Sequence, residues 1–151
     1  MVKNKFIFFI IFLLFVSLLF ITCKKSGNEE TIVEIRDRLF ISQVNDVYLN
    51  SSDYFGKKIK LEGIYNEEMW RNSLYRSIVR YGPGGCCGND ANVGFEVRWP
   101  QNSPNEYPGV DSWVEATGIL RFYFDHSERY IYLDLISLDV KNQRGMEYVS
   151  Q

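Results

Sequence analysis

From residue 58 onward, apolar and polar positions alternate in short runs separated by turn-forming residues. In Lys58–Tyr65, Ile59, Leu61 and Gly63 interleave with Lys58, Lys60 and Glu62, the two-residue period of a half-buried strand. Leu74–Tyr81 is a second strand. Val93–Trp99 is a third, with Val93, Phe95, Val97 and Trp99 on one face and Glu96 and Arg98 on the other. Pro100, Pro104, Pro108 and Gly109 make residues 100–111 a loop. Trp113–Phe124 and Arg129–Val140 are long strands joined by the hairpin connection Asp125-His126-Ser127-Glu128. Gly118 marks a bend or bulge in the first of these. In the second, the apolar phase slips at Leu135-Ile136, which predicts a bulge there. Ser52–Gly56 reads as a capped turn leading into the first strand. Ahead of it, Thr31 and Glu34 have capping-box spacing, with Ile32, Ile35 and Leu39 behind them. This predicts a short amphipathic helix, its end open to absorption by a strand starting at Leu39.

Five bent strands over residues 38–140 predict a mostly β domain. An OB-like five-stranded barrel is the first expectation and a β-sandwich the alternative, since closure removes the edges that such aromatic strands would expose. Composition agrees: 46% apolar and 24% charged residues in 151 suit one folded domain, and the 16% aromatic content favours strands. The flanking segments are a signal (1–22), a tether with the short helix (23–37) and a polar tail (141–151).

The first of these segments is continuous rather than periodic. Lys3 and Lys5 precede Phe6–Thr22, an uncharged run in which only Ser17 and Thr22 are polar. Cys23 and the polar stretch from Lys24 to Glu30 follow. A basic start and an apolar run describe an export signal. The Cys at its end resembles a bacterial lipobox, with Phe20, Ile21 and Thr22 where the usual pattern has Leu, a small residue, and Gly or Ala. That resemblance implies cleavage before Cys23 and acylation of it, palmitate included. The protein would then be anchored to a membrane in the bacterial cell envelope, outside the cytoplasm, for which several chains are needed at about 0.8 kcal/mol per buried CH₂. An uncleaved transmembrane helix and an ordinary cleaved signal are the alternatives, and all three export the rest of the chain. Loss of Lys3 and Lys5 takes the net charge from −2 to −4. An acidic exported domain has no electrostatic footprint for nucleic acid.

The chemistry concentrates between two strands, in Tyr81-Gly82-Pro83-Gly84-Gly85-Cys86-Cys87-Gly88-Asn89-Asp90-Ala91. Neighbouring side chains on a strand point to opposite faces, and the glycines free the backbone to turn both thiols one way. One reading is a metal site. Cys86, Cys87 and Asp90 with His126 would make four ligands for Zn²⁺, and the two thiolates alone would suit Cu(I). A second is a vicinal disulfide between Cys86 and Cys87, strained because adjacent Cα atoms lie about 3.8 Å apart. A third is two small residues packing a loop, in a structural domain or one that binds an envelope protein. A nucleophilic Cys assisted by His126 is the last, with no orienting acid in sight.

This stretch resembles the C-terminal domain of the uncharacterised YcgQ-like bacterial proteins, which carry Cys-Cys-x-x-Asp-Ala after a strand. Cys86, Cys87, Asp90 and Ala91 match it. Asp53-Tyr54, Gly56-Lys57 and Gly63 resemble the family's upstream run. Gly94, Trp113-Val114 and Thr117-Gly118 resemble its downstream strands. Gly88 and Asn89 stand where the family more often has alanine, and this chain has one apolar segment where members usually begin with membrane helices. The resemblance covers about residues 38–140 and implies an exported OB-like domain with a metal or transport connection.

Other residues read plainly. Arg76, Arg80, Arg98 and Arg121 alternate with aromatics as solvated strand faces would. Trp70, Trp99 and Trp113 read as core or rim, and Glu67 and Glu68 as loop carboxylates. No phosphate loop, dinucleotide fingerprint or nucleophile elbow occurs. The expected function is therefore a membrane-anchored, non-enzymatic binding module.

Overall fold

The computed structural model describes residues 32–83 and 91–149. Their elements are β1 (Ile32–Glu34), a 3₁₀ turn (Asp37–Leu39), α1 (Phe40–Leu49), α2 (Ser51–Tyr54), β2 (Lys58–Trp70), β3 (Ser73–Gly82), β4 (Ala91–Arg98), β5 (Trp113–Asp125) and β6 (Glu128–Val140). Each expected strand is present. β2 runs on past Tyr65 to Trp70, which places Glu67 and Glu68 on a strand and not in a loop.

The sheet order is β1-β2-β3-β4-β6-β5, and β2 also pairs with β5. That second pairing closes β2–β6 into a five-stranded barrel. Its neighbours are antiparallel except β4 on β6, which is the strand arrangement of an OB-like barrel and excludes the sandwich. β2 is long enough to serve two partners: Lys58–Ile64 lies on β5 and Ile64–Trp70 on β3. Its first half therefore has a vacant side, and β1 fills it in parallel, Ile32 opposite Lys58. The helix expected over residues 31–39 is absent for this reason. An unpaired strand edge draws Ile32–Glu34 into the sheet, and the helix forms at Phe40–Leu49 instead.

Phe40, Ile41, Val44 and Val47 make a stripe at helical spacing, all buried. They join Ile59, Leu61, Tyr65, Ile78, Phe95, Val97, Val114, Ala116, Leu120, Leu133 and Leu135 in one core. α1 has no side-chain N-cap; Gln43 ties the helix to the end of β1, accepting from Arg36 N (2.8 Å) and donating to Glu34 O (3.0 Å). Tyr48 Oη donates to Gly94 O at 3.0 Å and its ring stacks on Phe95, which docks α1 on β4. The expected bulge is present: Gly118 faces Leu135 and Thr117 faces Ser137, so Ile136 is the extra residue. Beyond Val140 the tail returns to the barrel. Tyr81 N donates to Glu147 O, Val149 N donates to Tyr81 O, and Val149 is buried.

Three carboxylates tie these elements together. Hydrogen bonds from Tyr54 and Asn50 hold the Asp46 carboxyl below its ordinary value of 3.8. The Tyr65 hydroxyl does the same for Glu67, and the Lys60 ammonium for Glu115, both below the ordinary 4.5. Carboxyls lowered in the folded state contribute stability above the unfolded value, and lose it as pH falls through the folded one. The urea midpoint is thus expected to hold from pH 7 to 5 and drop below about pH 4. Glu67→Gln should flatten that drop; a variant curve as steep as the parent's would remove Glu67 from the account.

Candidate functional site

His126 and Ser127 form the β5–β6 turn, with φ of 46° and 72°. Left-handed values at both central positions belong to a two-residue hairpin turn, for which Asn-Gly is the preferred pair. The imidazole is exposed, with Nε2 3.8 Å from Asp125 Oδ1. Cys86, Cys87 and Asp90 lie outside the described residues, as does Cys23. Among the described residues there is no group of three or more His, Cys, Asp or Glu side chains able to hold a metal.

The backbone nevertheless places the ends of the cysteine loop. Gly82 pairs with Ala91 at its base. β4 lies on β6 with Glu96 opposite Tyr132 and Arg98 opposite Asp134. Because β4 and β6 run parallel there, the start of β4 at Ala91 and the start of β6 at Glu128 lie toward the same end of the barrel. The loop and the His126 turn thus leave the barrel at the same end, although a whole strand pair separates them in sequence.

A second arrangement lies on the outer face where β4, β5 and β6 meet. Arg98 Nε donates to Glu96 Oε1 at 2.6 Å, and Tyr123 Oη donates to Glu96 Oε2 at 3.0 Å. The Arg98 guanidinium lies 4.0 Å from the Tyr123 ring centre and 4.9 Å from that of Tyr132. Tyr130 stacks on Tyr123 at 5.5 Å. Burial, then the Glu96 contact, pushes the Tyr123 hydroxyl well above its usual value, so it remains a donor. This aromatic and guanidinium surface can stack a planar or sugar-like group. The sequence shows Glu96 and Arg98 on one strand face, but the tyrosines come from a strand pair reached only through the parallel β4–β6 contact.

Of the four arginines read as solvated, Arg80 is not. It is fully buried: its Nε donates to Glu62 O (2.8 Å), its Nη2 meets Asp37 Oδ1 (2.8 Å), and its guanidinium lies between the Phe40 and Trp113 rings. The helical cap, contributed from far earlier in the chain, covers it. Trp113 is buried as core and Trp70 is exposed at the β2–β3 tip.

The topology defines the class: an OB-like barrel capped by an N-terminal helix, with the β3–β4 connection and the β5–β6 turn at a shared end. The chain belongs to the family of the DUF1980 C-terminal domain, whose model matches residues 20–150. No curated protein matches the chain. Among the described residues no helix is long and apolar enough to cross a membrane, and the run Phe6–Thr22 lies outside them.

Proposed function

We propose that this chain is an exported lipoprotein of the YcgQ-like kind, acylated on Cys23, that presents its barrel as a non-enzymatic, metal-binding module. Cys86, Cys87 and Asp90 would supply ligands from the loop and His126 a fourth from the facing turn. The observation that carries the reading is the β4–β6 register, which brings the ends of the loop and the His126 turn to one end of the barrel. Two thiolates, a carboxylate and an imidazole suit tetrahedral Zn²⁺; two thiolates alone suit Cu(I).

The full-length protein, extracted in detergent without chelator, should carry one metal ion in native mass spectrometry. Cys86→Ser with Cys87→Ser should lose that ion and remain folded. A metal-free parent with both thiols free overturns the reading, and one lighter by two hydrogens establishes the vicinal disulfide instead. The pair His126→Asn and Ser127→Gly separates the two metals. Asn-Gly fits the left-handed turn, so the variant should gain about 1 kcal/mol in stability. Zn²⁺ affinity should fall on the order of tenfold or more with loss of a ligand, whereas Cu(I) held by thiolates alone should not change.

A further inference from the structure

Two exposed phenylalanines and a half-buried one gather at one end of the barrel. Phe55 and Phe122 have ring centres 4.9 Å apart, and Phe122 meets Phe124 edge-on at 5.7 Å. Phe122 is 47% exposed and Phe124 65%. They continue the β5 face that carries Ala116 and Leu120 into the core. The face becomes bare because the partner strand stops: Lys58, the first residue of β2, lies opposite Ile119, and β5 runs on to Asp125. Arg129 covers one side, its guanidinium 5.4 Å from the Phe55 ring centre and its Nη2 donating to Ser51 Oγ at 3.3 Å.

The chain enters the fold at this same end. β1 runs parallel to β2 with Ile32 opposite Lys58, so Ile32 sits two strand spacings from Ile119, about 10 Å. Residues 24–31 alone separate Ile32 from Cys23. Fully extended, those eight residues span at most about 29 Å.

We propose that the surface formed by Phe55, Phe122 and Phe124 seats the barrel on the lipid bilayer that holds Cys23. This inference rests on the reading of Cys23 as the acylated residue. A tether shorter than the length of the barrel's long strands holds this end toward the membrane, and the phenylalanines then reach the boundary between headgroups and acyl chains. Lys57, Arg121 and Arg129 stand near them along the chain or across the β5–β6 hairpin, and so do Asp53, Asp125 and Glu128. With the two signs balanced, apolar burial and not net charge supplies the attraction. Acyl chains and an apolar face also make two signals, the number that stable anchoring needs. Gly82 and Ala91 lie at the same end, so the seated barrel turns these two flanking positions toward the bilayer.

The test places p-benzoylphenylalanine at Phe124 or, as a control, at Val140. Val140 is also exposed but lies at the far end of the β5–β6 ladder, opposite Val114. The full-length protein, processed in cells and carried into phosphatidylethanolamine and phosphatidylglycerol vesicles, is irradiated, and the adduct at each position is read by peptide mass spectrometry. Lipid adduct at 124 should exceed that at 140 on the order of tenfold. Equal yields at the two positions would overturn the seating, as would a protein adduct at 124 in intact cells in place of a lipid one. Fatty-acid labelling of Cys23, lost in Cys23→Ser, is measured on the same preparation. Labelled protein without lipid adduct at 124 removes the seating and keeps the anchor. Lipid adduct at 124 without label at Cys23 keeps the face and removes the acylation.

Discussion

Gly94→Ala is expected to be among the most destabilising single substitutions in this protein. Gly94 faces Val79 where β4 crosses β3, and a Cβ built there overlaps the carbonyl oxygen of Ile78. It also comes within 2.8 Å of the Ile78 carbonyl carbon and the Val79 Cα. All three obstacles are backbone, so no side chain can swing aside. Relief requires β3 and β4 to separate, which breaks the ladder beside Phe95 and moves the Gly94 carbonyl away from the Tyr48 hydroxyl that docks α1. A loss on the order of 4 kcal/mol, among the largest for one substitution, would take about a quarter or more of the stability of a typical domain. Gly109 is the control: the nearest atom to its built Cβ is Ser112 Oγ at 3.8 Å. Gly109→Ala should lie within about 0.5 kcal/mol of the parent. Urea unfolding of the three proteins decides it, and a Gly94→Ala midpoint equal to the parent's would show that the strands do not approach this closely.

The second large effect is at Arg80, where two substitutions are expected to differ in size. Arg80→Ala empties a slot between Phe40 and Trp113 and strands the Glu62 carbonyl that the guanidinium satisfies. Cavity and lost hydrogen bond together should cost about 3–5 kcal/mol. Arg80→Met fills the slot with an unbranched side chain and removes a buried guanidinium whose Nη1 has no partner. Asp37 is left behind, but it is 59% exposed and returns to water without becoming a buried charge. The methionine variant strands the same Glu62 carbonyl but leaves no cavity, so it should recover the packing part of the loss and finish about 1–2 kcal/mol below the parent. At roughly 4 °C per kcal/mol for a domain of this size, melting temperatures should separate the two by about 6 °C or more. Equal melting for Ala and Met would mean that the charge, and not the packing, holds this position.

These two residues show where reading along the chain stops. Gly94 falls on the polar face of a clean alternation, where nothing nearby in the chain requires a glycine, because the atoms that forbid a side chain belong to the preceding strand, at Ile78 and Val79. Arg80 alternates with aromatics as a solvated residue would; its burial depends on a 3₁₀ turn and helix that precede it by forty residues. Glu67 and Glu68 looked like loop residues because their polarity breaks the period, yet β3 pairs with them across a hairpin tip. By contrast, the slip at Leu135-Ile136 was legible as a bulge. One inserted residue inverts a two-residue period on one strand alone, and that inversion is a local property of the apolar pattern.

The sequence by itself determined the number, order and faces of the barrel strands, because half-burial imprints its period on each strand independently of the partner. It also determined the apolar segment ahead of Cys23 and the glycine-framed cysteine pair. Only the tertiary structure decided what those strands meet: closure of β2 on β5, the parallel seat of β4 on β6, the capture of Ile32–Glu34 by a vacant edge, and the meeting of the chain's entry, the cysteine loop's ends, the His126 turn and the phenylalanines at one end. The physical reason is that strand period depends on each residue's own burial, whereas register, closure and end-to-end placement depend on hydrogen bonds between residues far apart in the chain, which no local pattern records.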